Sequence, residues 1–158
     1  MWNILAKRAV EDRCDYLYQC GDDVEFLNKD WVDRSINILI ENNNIGLTGP
    51  IDKTRLDLGG DICKPGGARF IMTQSFVSRK HIELFGAFFP EKIKNWFCDD
   101  YITELYKPTY LFPLDNNYIK NTGGSERYDV TASPDLISYQ RMISYAHRKH
   151  LLEVTSYA

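Results

Sequence analysis

The sequence predicts a mixed α/β domain, a three-layer sandwich in which helices cover both faces of a sheet. Segments with helical periodicity alternate along the chain with short apolar runs, which is typical of α/β domains. In addition, a chain of 158 residues with 44% hydrophobic and 26% charged residues can bury one core without disulfides or structural metals. We therefore expect a single domain over residues 1–158.

The first half of the chain predicts two helices and two strands in alternation. Residues 2–13 place apolar side chains on one helical face with charges opposite, which indicates an amphipathic helix. The aromatic run 15–20 is typical of a buried strand, and Gly21 ends it. A second helical stripe covers 29–41, and residues 45–49 predict the second strand.

The middle of the chain is expected to be less regular. Residues 50–68 are rich in glycine, proline and charged side chains, which predicts a long loop of the kind that often carries function. A third strand is expected at 70–73. A helix over 79–85 should follow and end at Gly86, because glycine readily adopts the left-handed conformation found just after helices.

Two more helices are predicted in the last third. One starts near Asp99 and ends before Pro108, because proline disfavours a helical conformation in the residue before it. Residues 108–124 contain proline and paired asparagines and are expected to be irregular, with a hinge at Gly123-Gly124. The last helix, at about 133–156, has Ser133 as its N-cap and proline in its first position.

Charge and cysteine content exclude several classes of protein. A net charge of −3 provides no general attraction to nucleic acid or to anionic membranes. Four cysteines without a CxxC pair favour reduced, mostly buried thiols over a zinc site or a disulfide framework. No apolar run approaches the length of a membrane span, and the first residues do not resemble a signal peptide. We therefore expect a cytoplasmic protein without a membrane span.

Acidic residues occur at two points where the predicted elements change. Asp22, Asp23 and Glu25 follow the first strand, and hard cations such as Mg²⁺ or Mn²⁺ favour carboxylate ligands at such positions. A solvated acidic turn explains the same residues. Asp99 and Asp100 follow an aromatic run that could desolvate a carboxylate and raise its pKa toward the range of a general base. The alternative is helix capping by Asp99.

The acidic residues belong to an ordered series of motifs. The first part of the series contains Gly21-Asp22-Asp23-Val24-Glu25 after a strand, Trp31, and Ile45-Gly46-Leu47-Thr48-Gly49-Pro50. The second part contains Arg79, Phe85-Gly86-Ala87-Phe88-Phe89-Pro90-Glu91, and Trp96-Phe97-Cys98-Asp99-Asp100. Over nearly the whole chain this order resembles the second half of the GT-A-fold, family-2-like glycosyltransferases. The match departs from that family where Gly21 replaces the first aspartate of the usual Asp-x-Asp motif.

The resemblance implies transfer of a sugar from a nucleotide-diphosphate sugar to a saccharide or glycoconjugate acceptor. Asp22, Asp23 and Glu25 would then hold a divalent cation, Mn²⁺ or Mg²⁺, that neutralises the diphosphate leaving group. Asp100 is the first candidate for the base that deprotonates the acceptor, and Asp99 is the second.

Further candidates lie outside the acidic motifs. Lys53, Arg55, Lys64 and Arg69 of the long loop are candidates to contact the donor diphosphate, and Arg127 is a candidate on a flap over the donor, although loop cations are more often simply solvated. His147 and His150, three residues apart on the last helix, are candidates for a shared metal, and a solvated helix face is the alternative.

The family's N-terminal nucleotide-binding strands have no counterpart in this sequence. A homo-oligomer or a partner chain that completes the fold is therefore expected. Two alternative functions stay open. One is a non-catalytic interaction module of the same fold that binds a partner or self-associates, for which an exposed apolar patch would be the signature. The other is a metal-dependent phosphotransferase or hydrolase that uses the same acids.

Overall fold

A computed structural model describes residues 1–123 and 133–156. Within these residues the chain forms a five-stranded sheet, six α-helices and one 3₁₀ turn. The helices are α1 (Trp2–Glu11), α2 (Trp31–Glu41), α3 (Lys53–Gly59), α4 (Lys80–Phe85), α5 (Cys98–Tyr106) and α6 (Pro134–Thr155), and the 3₁₀ turn is Gly60–Cys63. The strands are β1 (Tyr16–Gln19), β2 (Val24–Phe26), β3 (Leu47–Asp52), β4 (Ser75–Ser78) and β5 (Leu111–Asn121).

The sheet is mixed, with strand order β1-β4-β3-β5-β2. Strands β3 and β5 are parallel neighbours at its centre, and every other pairing is antiparallel. Strands β1, β3 and β5 therefore run in the same direction, and their carboxyl ends lie at one edge of the sheet. This shared edge brings together segments that are far apart in the sequence.

Side chains from alternate strand positions pack on opposite faces of the sheet. Leu17 and Val77, paired across β1 and β4, belong to the main core together with Tyr101 and Ile102 of α5. On the other face, the ring of Phe76 lies 6.0 Å from that of Trp31 in α2. Because successive side chains of a strand point to opposite faces, helices cover the sheet on both sides.

The predicted helices are confirmed with small shifts in their ends. Ser133 Oγ accepts a hydrogen bond from the Leu136 amide at 3.1 Å, and Pro134 occupies the first turn of α6 as predicted. Gly86 ends α4 with a φ of 77°, a conformation that residues with a Cβ rarely adopt. No described helix is long and apolar enough to span a membrane.

The prediction of a loop over 50–68 was wrong. Strand β3 continues to Asp52, whose carboxylate accepts a hydrogen bond from the Arg55 amide and so caps α3. The expected strand at 70–73 was also wrong, because β4 lies at Ser75–Ser78. Phe70 and Met72 are buried without strand pairing, and the Met72 amide instead donates to Thr103 Oγ1 at 2.9 Å.

Residues 111–121, expected to be irregular, form the longest strand. Its register against β3 shifts between Pro50 and Ile51, and Asn116 has a φ of 65° in the resulting bulge. The buried Asn117 holds the bulge, because its side-chain amide donates to Asp30 at 2.9 Å and its oxygen accepts from Arg34. The proline and paired asparagines thus mark a bulge within a strand.

The four cysteines are free thiols, as predicted. Only Cys63 and Cys98 are buried, whereas Cys14 is exposed and Cys20 is half-buried. The expectation that most of the thiols are buried therefore holds for half of them.

Candidate functional site

The candidate site lies at the edge where β1, β3 and β5 end. The turn Gly21–Asp23 follows β1, Asp52 closes β3, and Asn121–Gly123 closes β5. The amide of Asn121 donates to Thr54 Oγ1 at 3.1 Å, which joins the end of β5 to the first turn of α3. Ligands of open α/β sheets commonly bind at this kind of edge.

Asp23 is held at this edge by its main chain and by two glycines. Its carbonyl oxygen accepts hydrogen bonds from the amide and the hydroxyl of Thr122, at 2.7 and 3.0 Å. A Cβ atom added at Gly21 or at Gly123 would collide with the Asp23 carboxylate oxygens. Both positions must therefore lack a side chain for the carboxylate to keep its place.

The three acids predicted as metal ligands differ in exposure. Asp22 and Glu25 are exposed, whereas Asp23 is half-buried, and Glu25 lies on β2 opposite Lys120. Among residues 1–123 and 133–156, no three His, Cys, Asp or Glu side chains are grouped closely enough to hold a metal ion. The structure therefore does not group Asp22, Asp23 and Glu25 as the predicted three-carboxylate metal site.

Asp52 is a site residue that the sequence reading missed. One of its carboxylate oxygens caps α3, and the other accepts a hydrogen bond from Thr73 Oγ1 at 3.2 Å. The neighbouring Gln74 accepts at 3.0 Å from the amide of Gly21, so the first acidic turn is tied to this segment. An aspartate three residues before Arg55 at the end of an apolar run was the signal available for this N-cap.

The second acidic pair begins α5. Asp99 and Asp100 lie in the first turn after the N-cap Phe97, and the Asp100 amide donates to Asp99 Oδ1 at 3.0 Å. Burial, with a smaller contribution from the Asp100 charge, raises the pKa of Asp99 to about 6. Desolvation of a carboxylate in this segment was predicted, and it applies to Asp99.

Arg55 connects the second acidic pair to the strand edge. Its positive charge opposes the rise in the pKa of Asp99, as the smallest of the influences on that carboxylate. One guanidinium nitrogen donates to the Arg69 carbonyl at 2.9 Å, while the buried Nε has no hydrogen-bond partner among the described residues. Hydrogen bonds therefore join Thr122 to Asp23 and Asn121 to Thr54 at this edge, whereas the influence of Arg55 on Asp99 is electrostatic.

The predicted cations occupy different environments. Lys53 opens α3, pairs with Asp57 at 3.1 Å and lies 5.9 Å from the ring centre of Tyr118. Arg69 has an exposed side chain and accepts the Arg55 bond through its carbonyl. Arg127 lies outside the described residues. Lys53 thus directly follows the last residue of β3, at the edge of the sheet where the candidate site lies.

The paired histidines of α6 pack against aromatic rings. His147 Nδ1 lies 2.7 Å from the Tyr101 hydroxyl, and its ring stacks on Phe85 with centroids 5.0 Å apart. His150 is exposed and meets the edge of the same phenylalanine. His147 therefore has a packing role in the helix interface.

Comparison of the chain with protein-family models, with curated proteins and with solved structures finds no match. Its function must therefore be argued from the geometry of the site and from the sequence motifs.

Proposed function

We propose that this chain is a GT-A-like glycosyltransferase, or the metal- and acceptor-binding half of one, that moves a sugar from a nucleotide-diphosphate donor to a saccharide or glycoconjugate. The observation that carries the proposal is that the turn with Asp23 and the start of α3 meet at one edge of the sheet, and that the charge of Arg55 in α3 acts on the Asp99 carboxylate. Glycosyl transfer requires an acidic residue that holds the cation of the leaving group and a second acidic residue that deprotonates the acceptor. Both must lie in one site.

The donor side of the reaction is assigned to the first acidic turn. Asp23, with Asp22, would hold Mn²⁺ or Mg²⁺ between the carboxylates and the diphosphate. When bound, the cation supplies positive charge against the negative charge that develops on the departing diphosphate. Lys53 lies at the start of α3 and would add a second positive charge close to the same oxygens.

The acceptor side is assigned to the start of α5. Asp100 lines an open cleft of about 470 Å³ and would take the proton of the acceptor hydroxyl. The acceptor oxygen then forms a bond to the anomeric carbon, and the bond from that carbon to the diphosphate oxygen breaks with its electron pair. Asp99, with its raised pKa, is the alternative base, and Arg55 steadies its charge.

The decisive test is calorimetric titration of the purified chain with Mn²⁺ and with UDP-, GDP- and CMP-sugars. We expect metal-dependent binding of one donor that Asp23→Asn abolishes. Asp33→Asn, an exposed first-turn acid of α2, is the matched control and should bind normally. A folded chain that binds no donor, or an Asp23→Asn chain that binds as well as wild type, would overturn the metal and donor assignment.

A second candidate function, an interaction module that binds a partner or self-associates, is favoured by the surface around β1. This strand is at the end of the sheet, and an apolar pocket of about 210 Å³ lies beside it, lined in part by Trp2, Leu5 and Ala9. Ile4 and Leu5 are 74% and 53% exposed. Light scattering that detects a dimer in wild type and a monomer in Leu5→Glu would support this function.

A further inference from the structure

The cleft that contains Asp100 is formed by two helices that run side by side. Ser144 Oγ in α6 donates to the Tyr101 carbonyl at 3.3 Å, and Arg148 donates to the Lys107 carbonyl at 3.4 Å. A later residue of one helix thus contacts a later residue of the other, so α5 and α6 run in the same direction. This arrangement faces Asp100 and Glu104 of α5 toward Arg141 and Arg148 of α6 across the cleft.

The interior side of the cleft is buried and already hydrogen-bonded. Gln140 and Ser144 are 5% and 1% exposed, and Gln140 Nε2 donates to Ser144 Oγ at 3.0 Å. Phe97 and Ile137 add apolar surface at the end where α5 begins. A cleft with a few polar groups placed on a partly apolar, preformed surface is typical of small-molecule sites.

The charged side chains of the cleft do not neutralise one another. No ion pair joins either carboxylate to Arg141 or Arg148 within the described part of the chain, and Glu104 pairs instead with Lys107 at 3.1 Å. Lys107 is outside the lining, which therefore holds two arginines and two carboxylates, and neither arginine forms an ion pair with those carboxylates among the described residues. Because guanidinium groups bind carboxylates and phosphates with a fixed, planar set of donors, the two arginines suit an anionic ligand.

We propose that this cleft is the acceptor subsite and that the acceptor is a saccharide bearing a carboxylate or a phosphate. Arg141 and Arg148 bind the anion, and Asp100 contacts the hydroxyl that reacts. This assignment rests on the proposed glycosyl transfer. It adds the acceptor's chemical class, which is inferred from the two arginines of the cleft.

The test measures binding of four probes to the full chain in the absence of donor and metal. The probes are glucose, glucuronic acid, glucose 6-phosphate and inorganic phosphate, followed by NMR titration. We expect at least one charged sugar to bind about tenfold or more tightly than glucose, and more tightly than phosphate alone. The stronger of the two charged sugars identifies the anion as a carboxylate or a phosphate.

Substitutions then locate the site. Arg141→Gln, at an exposed helix position, should weaken binding of the charged sugar about tenfold and leave any weak glucose binding unchanged. Arg8→Gln is the matched control, because Arg8 is an exposed helical arginine on α1. The proposal is overturned if no charged sugar binds, if glucose or inorganic phosphate binds as tightly, or if both arginine variants lose affinity equally.

The outcome is independent of the donor experiment. Charged-sugar binding that depends on Arg141 supports the subsite even when no nucleotide sugar binds, in which case only the transferase assignment fails. Conversely, donor binding and transfer to a neutral acceptor without charged-sugar binding would refute the anionic subsite and leave the proposed function in place.

Discussion

His81 and Asp99 are both ionisable groups removed from water, but their surroundings are very different. His81 is 1% exposed, and both of its ring nitrogens have partners, the Tyr106 hydroxyl at 2.8 Å and the Phe88 carbonyl at 2.9 Å. Asp99 accepts hydrogen bonds from backbone amides only and lies beside a second carboxylate. The histidine stabilises the fold as a neutral group, whereas Asp99 carries a charge at neutral pH that its surroundings disfavour.

The contrast shows that burial shifts the pKa of a histidine and of a carboxylic acid in opposite directions. Burial lowers the pKa of His81 to about 4, which keeps the ring neutral and its hydrogen bonds intact. The same effect raises the pKa of Asp99 to about 6, which suits proton transfer near neutral pH. Four predictions test this difference, beginning with the largest expected effect on stability.

Removing the His81 ring should cause the largest loss of stability. His81→Ala leaves the Tyr106 hydroxyl and the Phe88 carbonyl without their partner and opens a cavity between Phe85 and Phe88. We expect the free energy of unfolding to fall by about 3 to 4 kcal/mol in urea titrations. His150→Ala, at an exposed position of α6, is the control and should change stability by less than about 0.5 kcal/mol.

His81 should also make the protein sensitive to acid. Its folded pKa lies below its unfolded value, so the unfolded chain binds more protons between about pH 6.5 and pH 4. The stability that depends on neutral His81 is therefore complete above pH 6.5 and declines as the pH falls to 4, by about 3 kcal/mol. A His81→Gln variant that loses stability as steeply as wild type across this range would contradict the assignment.

Neutralising Asp99 should change the free energy of unfolding by a smaller amount, and it should stabilise the protein instead of destabilising it. The folded pKa of Asp99 is raised, so the folded chain binds the extra proton and wild type loses stability as the pH rises from about 4 to 6. Asp99→Asn imitates the protonated acid and should stabilise the chain at pH 7 by about 2 kcal/mol, with no gain at pH 4. Asp33→Asn, at an exposed position of α2, is the matched control.

The smallest effect on stability is expected at Gly123. Alanine there requires the Asp23 carboxylate to move, and a side-chain end can move at low cost, so thermal melting should shift by less than a few degrees. The affinity for Mn²⁺ should nevertheless fall, because the displaced carboxylate no longer lies between the two glycines. Unchanged Mn²⁺ affinity in Gly123→Ala would show that Gly21 and Gly123 do not position the Asp23 carboxylate as a metal ligand.

The sequence predicted most helices because their apolar stripes and end residues are local signals. The Ser133-Pro134 start of α6 and Gly86 after α4 follow from backbone chemistry within a few residues. Strands were harder to predict because pairing is decided by distant partners. Strand β5 has Pro113 and a left-handed Asn116, yet it pairs along β3 because Asn117 is anchored by α2.

The site residues were likewise predictable where the signal is local and not where it depends on distant partners. The acidic turns and the cation Arg55 are visible in the sequence, but the effect of Arg55 on Asp99 is not, because it depends on the position of α3 in the fold. The contribution of α6 to the Asp100 cleft likewise depends on how two helices pack. Residue types that suggest chemistry can be recognised in one sequence, whereas the partners that tune them depend on the tertiary fold.

The position of β5 has a consequence for how the chain acquires its structure. This strand is the last of the five in sequence, yet it lies between β3 and β2 in the sheet. A chain emerging from the ribosome therefore cannot pair β2, or complete the centre of the sheet, until residue 121 is available. Such a large sequence separation between paired strands slows folding and leaves early strands unpaired during synthesis.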